Sequence, residues 1–260
     1  MPYILLILTT LFWSGNFVLS RGMHAAIPPM SLSFWRWTVA LIILCCFGLR
    51  HLIIQRELVI KHKRFIITQG LLGVAGFNSL IYLAIQTTTA INAVLVNSCI
   101  PVIIVVASWF MYKEKLRPRQ FFGVCLSLSG VLLIISQGKL STLLGLQFNR
   151  GDILVFIAAI FWALYSANLK KYPKGLHPFA FQTGIVIVGL SAITPLYLFE
   201  LSTGKTMVLS TNTFIAIGYV ALFASVLAFI FWNRAVTILG ANIAGPFIHL
   251  MPVFSTILAV

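Results

Sequence analysis

The sequence predicts an all-α polytopic membrane protein: an inverted repeat of five-helix units, with nine spans present and a tenth missing by symmetry. Three observations predict it. The 260 residues are 60% apolar and only 8% charged, more apolar surface than a soluble fold of this length can hide. The apolar residues gather into segments long enough to cross a bilayer. The two halves also repeat each other. Phe12-Trp13 recurs as Phe161-Trp162, and the same offset carries Pro29 onto Pro178. Further along, Pro101 matches Pro252, with Asn92 and Asn242 nine or ten residues earlier.

The nine segments are 3–20, 32–49, 65–86, 91–112, 120–136, 152–169, 179–199, 212–233 and 240–260. At about 1.5 Å per residue, about 20 residues cross the roughly 30 Å hydrocarbon core. Helices are required because lipid leaves each segment to satisfy its own backbone. A β-barrel would show strictly alternating strands of about ten residues, and ILVFIAAIFWALY (153–165) does not alternate.

The first segment lacks a basic start and a small-residue cleavage site, and Arg21 follows it; it reads as a retained span rather than a signal peptide. The second holds Arg36, a strongly basic residue inside a span. It lies near the outer end, where snorkelling to the interface beside Trp35 and Trp37 is favoured over contact with solute. The fourth is broken by Pro101, which removes a helical hydrogen bond close to Asn97. The fifth carries Gly123, Ser127 and Gly130 near one face, the spacing of a close-packing helix in lipid. The stretch 137–151 is the linker between a first copy, 1–136, and a second, 152–260. By internal symmetry roughly 25–30 residues of a tenth helix are absent, as expected of a fragment, the favoured reading, or of a nine-helix variant. Cys45, Cys46, Cys99 and Cys125 lie in apolar segments without a CxxC pair and read as small packing residues, with no disulfide or metal role.

The net charge of +14 would suggest nucleic acid in a soluble protein. Here its placement is the signal. Thirteen of the 18 Lys and Arg fall in 50–64, 113–119, 170–174 and at Arg234, all on one side if every segment spans. The other side has Arg21, Lys139, Arg150 and Lys205. The positive-inside rule makes the basic side cytoplasmic, with the N-terminus inside. A unit with an odd number of spans inserts its second copy upside down, so the pattern points to a transporter with inverted repeats.

Two motifs add to this. Glu114, Leu116, Gln120, Gly123 and Gly130 form E-x-L-x-x-x-Q-x-x-G-x-x-x-x-x-x-G, directly after NAVLVNSCIP (92–101). Trp13 and Asn16 form Trp-x-x-Asn in the first segment, and Arg36 sits one turn into the second. The chain resembles the EamA-like branch of the drug/metabolite transporter superfamily over essentially its whole length. The resemblance implies ten helices with both termini inside, a central cavity between the halves, and export or exchange of small metabolites. It also implies a bacterial inner (plasma) membrane location. The chain departs from the pattern in lacking the tenth helix and in having Lys113 where a Gly commonly precedes the Glu.

The candidate cavity residues are Trp13, Asn16, Tyr82, Asn92, Asn97, Trp162, Tyr165, Asn168 and His249. Trp13 and Trp162 are equivalent in the two copies and could form two aromatic walls, although each taken alone reads as packing. His249 reads equally as a polar lining or proton-carrying residue and as a hydrogen-bonded packing residue. Arg36, Glu114, Pro101 and Pro252 are structural or gating candidates; Glu114 is expected in an interfacial ion pair. Asn78, Ser166, Gln182 and Asn233 should also face the bundle interior.

The expected function is secondary transport of small organic metabolites such as amino acids by alternating access. A phosphate-ester or nucleotide-sugar carrier is the runner-up, and a non-transporting membrane scaffold is the alternative of a different class. An enzyme is not expected. There is no HExxH, GxSxG or phosphate loop, and Glu57, Glu114, Asp152 and Glu200 lie at span ends or in loops. No catalytic residue, metal site or cofactor is expected. The expected partners are a small-molecule substrate and the lipid bilayer, with a proton or a counter-flowing solute for coupling and no nucleic acid. Nothing in the sequence sets an oligomeric state.

Overall fold

The computed structural model describes residues 1–258 other than 24, 137, 139–146 and 148. Most of the predicted linker, including Lys139, lies outside the described residues. Among those described there is no strand, and nine helices are long and apolar enough to cross a membrane. They are α1 (Pro2–Gly22), α2 (Pro29–Ile54), α3 (Lys63–Ile85), α4 (Asn92–Tyr112), α5 (Pro118–Ser136), α6 (Arg150–Lys171), α7 (Pro178–Ser202), α8 (Thr211–Leu239) and α9 (Ala241–Leu258). A short helix, Arg56–Lys61, joins α2 to α3. Several spans outrun their apolar cores. α2 continues through Arg50 and His51, and α8 through Arg234, because helical hydrogen bonding does not stop where the hydrocarbon does.

The helix starts follow from local chemistry. Pro29 and Pro178 open α2 and α7 at positions where a missing N–H costs nothing. Asn149 and Asp152 make a capping box for α6. Glu200, at the end of α7, accepts hydrogen bonds from the Met30 and Ser31 amides at 3.0 and 2.7 Å. A carboxylate thus meets the positive end of α2. At the other end of the same pair, Gln55 of α2 accepts from the His177 amide at 2.7 Å and donates to the Gly175 carbonyl at 2.8 Å. α2 and α7 are therefore tied at both ends. α3 lies close against α7: a Cβ on Gly70 would meet the Ile185 carbonyl oxygen at 2.7 Å. Without a hydrophobic drive between helices in lipid, such close packing and interhelical hydrogen bonds supply the association.

Four spans are irregular. α3 is π-helical over Gly70–Gly76, and α8 over Val220–Leu227. These segments occupy corresponding places in the two copies. α4 breaks at Ser98 and Cys99, just before Pro101. α9 runs through a 3₁₀ stretch, Gly245–His249, just before Pro252. The proline breaks were legible in advance; the π-helical segments were not.

Two packing expectations are corrected. No atom lies within 4 Å of a Cβ built on Gly123 or Gly130, so α5 does not pack through its glycines. Its inward residues are Val124, Val131, Ile135 and Ser136, on the face where Ser127 meets α9. Cys46 and Cys125 are exposed rather than packed.

Candidate functional site

A narrow cavity lies between the two halves. From the first half, Trp13, Asn16 and Phe17 of α1, Phe77, Asn78, Ile81 and Tyr82 of α3, and Asn97 and Ile100 of α4 line it. The second half contributes Trp162 of α6, Phe229 of α8, and Ile248 and Met251 of α9. The cavity's volume is about 30 Å³, room for about one or two waters. The cleft is narrow in this state.

Its floor is aromatic. Trp13 meets Trp162 edge to face, with ring centroids 4.9 Å apart and planes at 90°, an arrangement worth about 0.5–1.5 kcal/mol beyond its burial. The two tryptophans form one corner rather than two facing walls. Trp162 also rests against Phe77 and stacks on Tyr165. The Trp13 indole donates to the Ala224 carbonyl at 3.1 Å, inside the π-helical segment of α8.

Arg36 lies behind the cavity wall, fully buried. Its Nε donates to Ser225 Oγ at 2.8 Å, and its Nη1 donates to Asn78 Oδ1 at 3.0 Å and to the Tyr82 hydroxyl. The guanidinium also sits over the Trp37 ring, 5.0 Å from its centroid. Its Nη2 has no hydrogen-bond partner among the described residues. The expectation that Arg36 snorkels beside an aromatic belt is corrected. It is the eighth residue of α2, about 10 Å from the helix start, and α3, α7 and α8 cover that face. Trp37 is as buried as Arg36.

The residues holding Arg36 also close the π-helical turns. Asn78 Nδ2 donates to the Gly73 carbonyl at 2.9 Å, and Ser225 Oγ donates to the Val220 carbonyl at 2.8 Å. Each reaches five residues back. A π-helical turn displaces carbonyls from their usual donors, and a side chain fills the gap. Tyr82 passes the network onward, its hydroxyl donating to Asn16 Oδ1 at 3.0 Å.

Asn97 ends the first piece of α4. It is 9% exposed, lines the cavity, and its Oδ1 has no partner among the described residues. The other predicted cavity residues lie elsewhere. Asn92 is spent at the far end, donating to Asp152 Oδ2 at 2.9 Å. Tyr165 lies behind Trp162 and donates to Asn233 Oδ1 at 2.6 Å. Asn168 accepts from the Tyr112 hydroxyl at 2.9 Å and donates to Gln69 Oε1 at 3.3 Å. His249 is not in the cavity wall. Its Nε2 lies 2.9 Å from the Ser98 carbonyl oxygen and its Nδ1 2.7 Å from Ser127 Oγ. A carbonyl only accepts, so Nε2 carries a proton; Nδ1 shares its bond with a Ser127 hydroxyl that also reaches the Val124 carbonyl at 3.1 Å. His249 ties α9 to α4 and α5 at their irregular places, the packing arrangement. Pro101 and Pro252 stand at the two helix breaks.

The basic end is closed. Glu114 pairs with Lys170 at 2.6 Å, the interfacial ion pair expected of it. The Tyr112–Asn168–Gln69 chain lies beneath, and the His51 and His177 rings stack 3.7 Å apart. Burial, then the neighbouring His51, holds the His177 imidazole below its ordinary range.

Sequence reasoning missed Phe77, Phe229, Ile248 and Met251 as lining residues, and Ser225 and Gln69 as network members. The apolar ones carry no local signal separating a cavity face from a lipid face.

Residues 1–136 and 149–260 match the model of the EamA-like transporter family. The chain belongs to that family. It is an integral membrane protein of the transporter type. It is 26% identical to the uncharacterized transporter YyaM of Bacillus subtilis (strain 168), over 99% of this chain and 84% of that one. It is 22% identical to the aromatic amino acid exporter YddG of Ancylobacter novellus, over 96% of this chain and 84% of that one. A solved crystal structure superposes with a TM-score of 0.78 at 20% identity, covering 98% of this chain and 85% of that one. It shares the EamA fold.

Proposed function

We propose that this EamA-like protein is a secondary transporter that exports or exchanges small organic metabolites, amino acids with apolar or aromatic side chains among them. The cavity between the two halves would be opened to each side in turn. The observation that carries the reading is the cavity itself. It is neutral and aromatic, both halves build it, and the broken helices α4 and α9 border it, as inverted-repeat carriers place their sites. The exporter from Ancylobacter novellus, named for aromatic amino acids, lends distant support.

The phosphate-ester reading fits less well. A doubly charged phosphate calls for several cations, and the lining contains no Lys or Arg; Arg36 is a single charge behind the wall. Alternating access requires the closed basic end to open, and the half-exposed Glu114–Lys170 pair is cheap to break.

The test is flux in proteoliposomes loaded with a panel of amino acids, amines, sugars and phosphate esters. Flux of apolar or aromatic amino acids, reduced in Trp13→Ala, is expected. Flux restricted to phosphate esters, or none for any organic solute, would remove the proposal.

A further inference from the structure

Resting on that reading, we propose that the cavity takes its solute as a zwitterion. The carboxylate is held at a pole formed by Asn16 and Tyr82 and charged by Arg36. The ammonium is held at a second pole formed by Asn97.

The first pole begins with an uncompensated charge. Among the described residues no carboxylate touches Arg36. Glu114 is paired with Lys170, Glu200 caps α2, and Asp152 is bound by Thr88, Asn92 and the Asn149 amide. Glu57 belongs to the short helix at the basic end. Arg36 is fully buried and still has Nη2 without a partner. A buried guanidinium with neutral partners and unused donors is costly unless an anion comes near it.

The route from that charge to the solute is direct. Arg36 donates to Tyr82 and Asn78, which both line the cavity, and Tyr82 donates to Asn16 Oδ1 at 3.0 Å. Ser20 Oγ donates to the same Asn16 oxygen at 3.3 Å. The Asn16 carbonyl, so oriented, is doubly occupied. Its NH₂ has no partner among the described residues. Each donor in the chain is polarised by the cation behind it, so the cavity meets an entering solute with polarised donors at this wall. A carboxylate is the group that accepts from the Asn16 amide, which Tyr82 holds in place, and offsets Arg36.

The second pole is an unbonded amide. Asn97 is more than nine-tenths buried and lines the cavity, and neither end of its side-chain amide is bonded among the described residues, so its oxygen is free to turn to a donor. Its backbone carbonyl cannot receive the usual helical hydrogen bond, because Pro101 has no N–H. A buried amide oxygen without a donor is costly, and an ammonium supplies the donor. Between the poles lie Trp13, Trp162 and Phe77, a surface for an apolar or aromatic side chain. A purely structural Arg36 explains the cross-link between α3 and α8, but it leaves Nη2 and Asn97 Oδ1 idle.

The test uses three solutes sharing one ring: L-tryptophan, tryptamine, which lacks the carboxylate, and indole-3-propionate, which lacks the ammonium. Binding to the purified protein is measured by calorimetry and flux in proteoliposomes. Tryptophan should bind at least about tenfold more tightly than either analogue, as the loss of a charge-assisted hydrogen bond implies. Arg36→Gln should weaken tryptophan and indole-3-propionate about tenfold while tryptamine holds its affinity. Arg36→Lys should restore part of the carboxylate preference. Tyr82→Phe, which keeps the ring and leaves Arg36 in place, should weaken the same two solutes. Asn97→Ala should weaken tryptophan and tryptamine alone, and Asn97→Asp should favour tryptamine.

Equal loss for all three solutes in folded Arg36→Gln and Tyr82→Phe would overturn the first pole. Indifference to the ammonium in wild type and Asn97→Ala would overturn the second. Flux of organic solutes that ignores both groups would defeat this inference and leave the transporter reading standing. Absence of any organic flux would defeat the transporter reading itself.

Discussion

Asn78 and Ser225 do the same two jobs from opposite halves of the protein. Each bonds the carbonyl five residues before it, in a π-helical segment, and each accepts a hydrogen bond from Arg36. One guanidinium therefore couples the irregular turn of α3 to the irregular turn of α8. Asn78→Ala should cost about 1–3 kcal/mol, because it leaves both a guanidinium N–H and the Gly73 carbonyl without a partner. Ser225→Ala should cost a similar amount. The double variant should fall short of the sum, since both hold one side chain. Thermal unfolding in detergent measures it, and strict additivity would mean that Arg36 does not link the two segments.

The basic end should respond differently. Glu114 and Lys170 are both partly exposed, so their ion pair adds at most about 1 kcal/mol to stability. A difference that small still shifts a balance between two open states several-fold. Glu114→Gln should leave the melting temperature nearly unchanged. It should raise thiol labelling of a cysteine at Asn168, beneath the pair, from the basic side. Unchanged labelling would mean that the Glu114–Lys170 pair does not hold that end closed.

The spans, their count and the charge asymmetry could be read from the sequence, because lipid makes blunt demands: about 20 apolar residues per crossing, with cations left on one side. The interior could not be read in the same way. Phe110 is 73% exposed and Phe229 is 1% exposed, yet both are phenylalanines in apolar runs, because a lipid-facing surface and a packed interior favour the same residues. Gly123 and Gly130 misled for that reason: their spacing fits a packing face that the structure leaves open. Pro101 was readable because its effect is covalent and local. Arg36 was not, because its partners come from α3 and α8, 42 and 189 residues away in sequence.

The stacked histidines give a pH dependence with a definite sign. Burial, followed by the neighbouring imidazole of His51, lowers the His177 pKa. His177 Nδ1 also accepts from the Phe179 amide at 3.3 Å, which only the neutral ring can do. A base whose folded pKa is depressed contributes stability that is present above the unfolded value, about 6.5. That contribution is lost as pH falls through the folded value. The start of α7 should therefore loosen below about pH 6.5. Hydrogen-exchange protection of the amides at 177 and 179–181, corrected for the intrinsic pH dependence of exchange, should fall between pH 7 and pH 5, and His177→Asn, which can still cap the helix, should remove the change. Protection that rises with falling pH would reverse the assigned sign.

His249 is the remaining titratable side chain near the broken helices, and its surroundings argue against a proton-carrying role. Both ring nitrogens are engaged, one at the Ser98 carbonyl and one at Ser127, and the ring does not line the cavity. Protonating it would leave a buried charge with no carboxylate beside it among the described residues. Its work is to hold α4, α5 and α9 together where α4 has no regular hydrogen bonding of its own. His249→Gln offers an amide donor and acceptor on a shorter reach. It should therefore keep most of the stability and leave the response of flux to an imposed pH gradient as it is in the wild type. His249→Ala should cost about 1–3 kcal/mol, since it leaves a buried carbonyl bare. Proteoliposome flux with and without a pH gradient, beside thermal unfolding of both variants, separates the two roles. A folded His249→Gln that transports but has lost its proton response would make this residue the carrier after all.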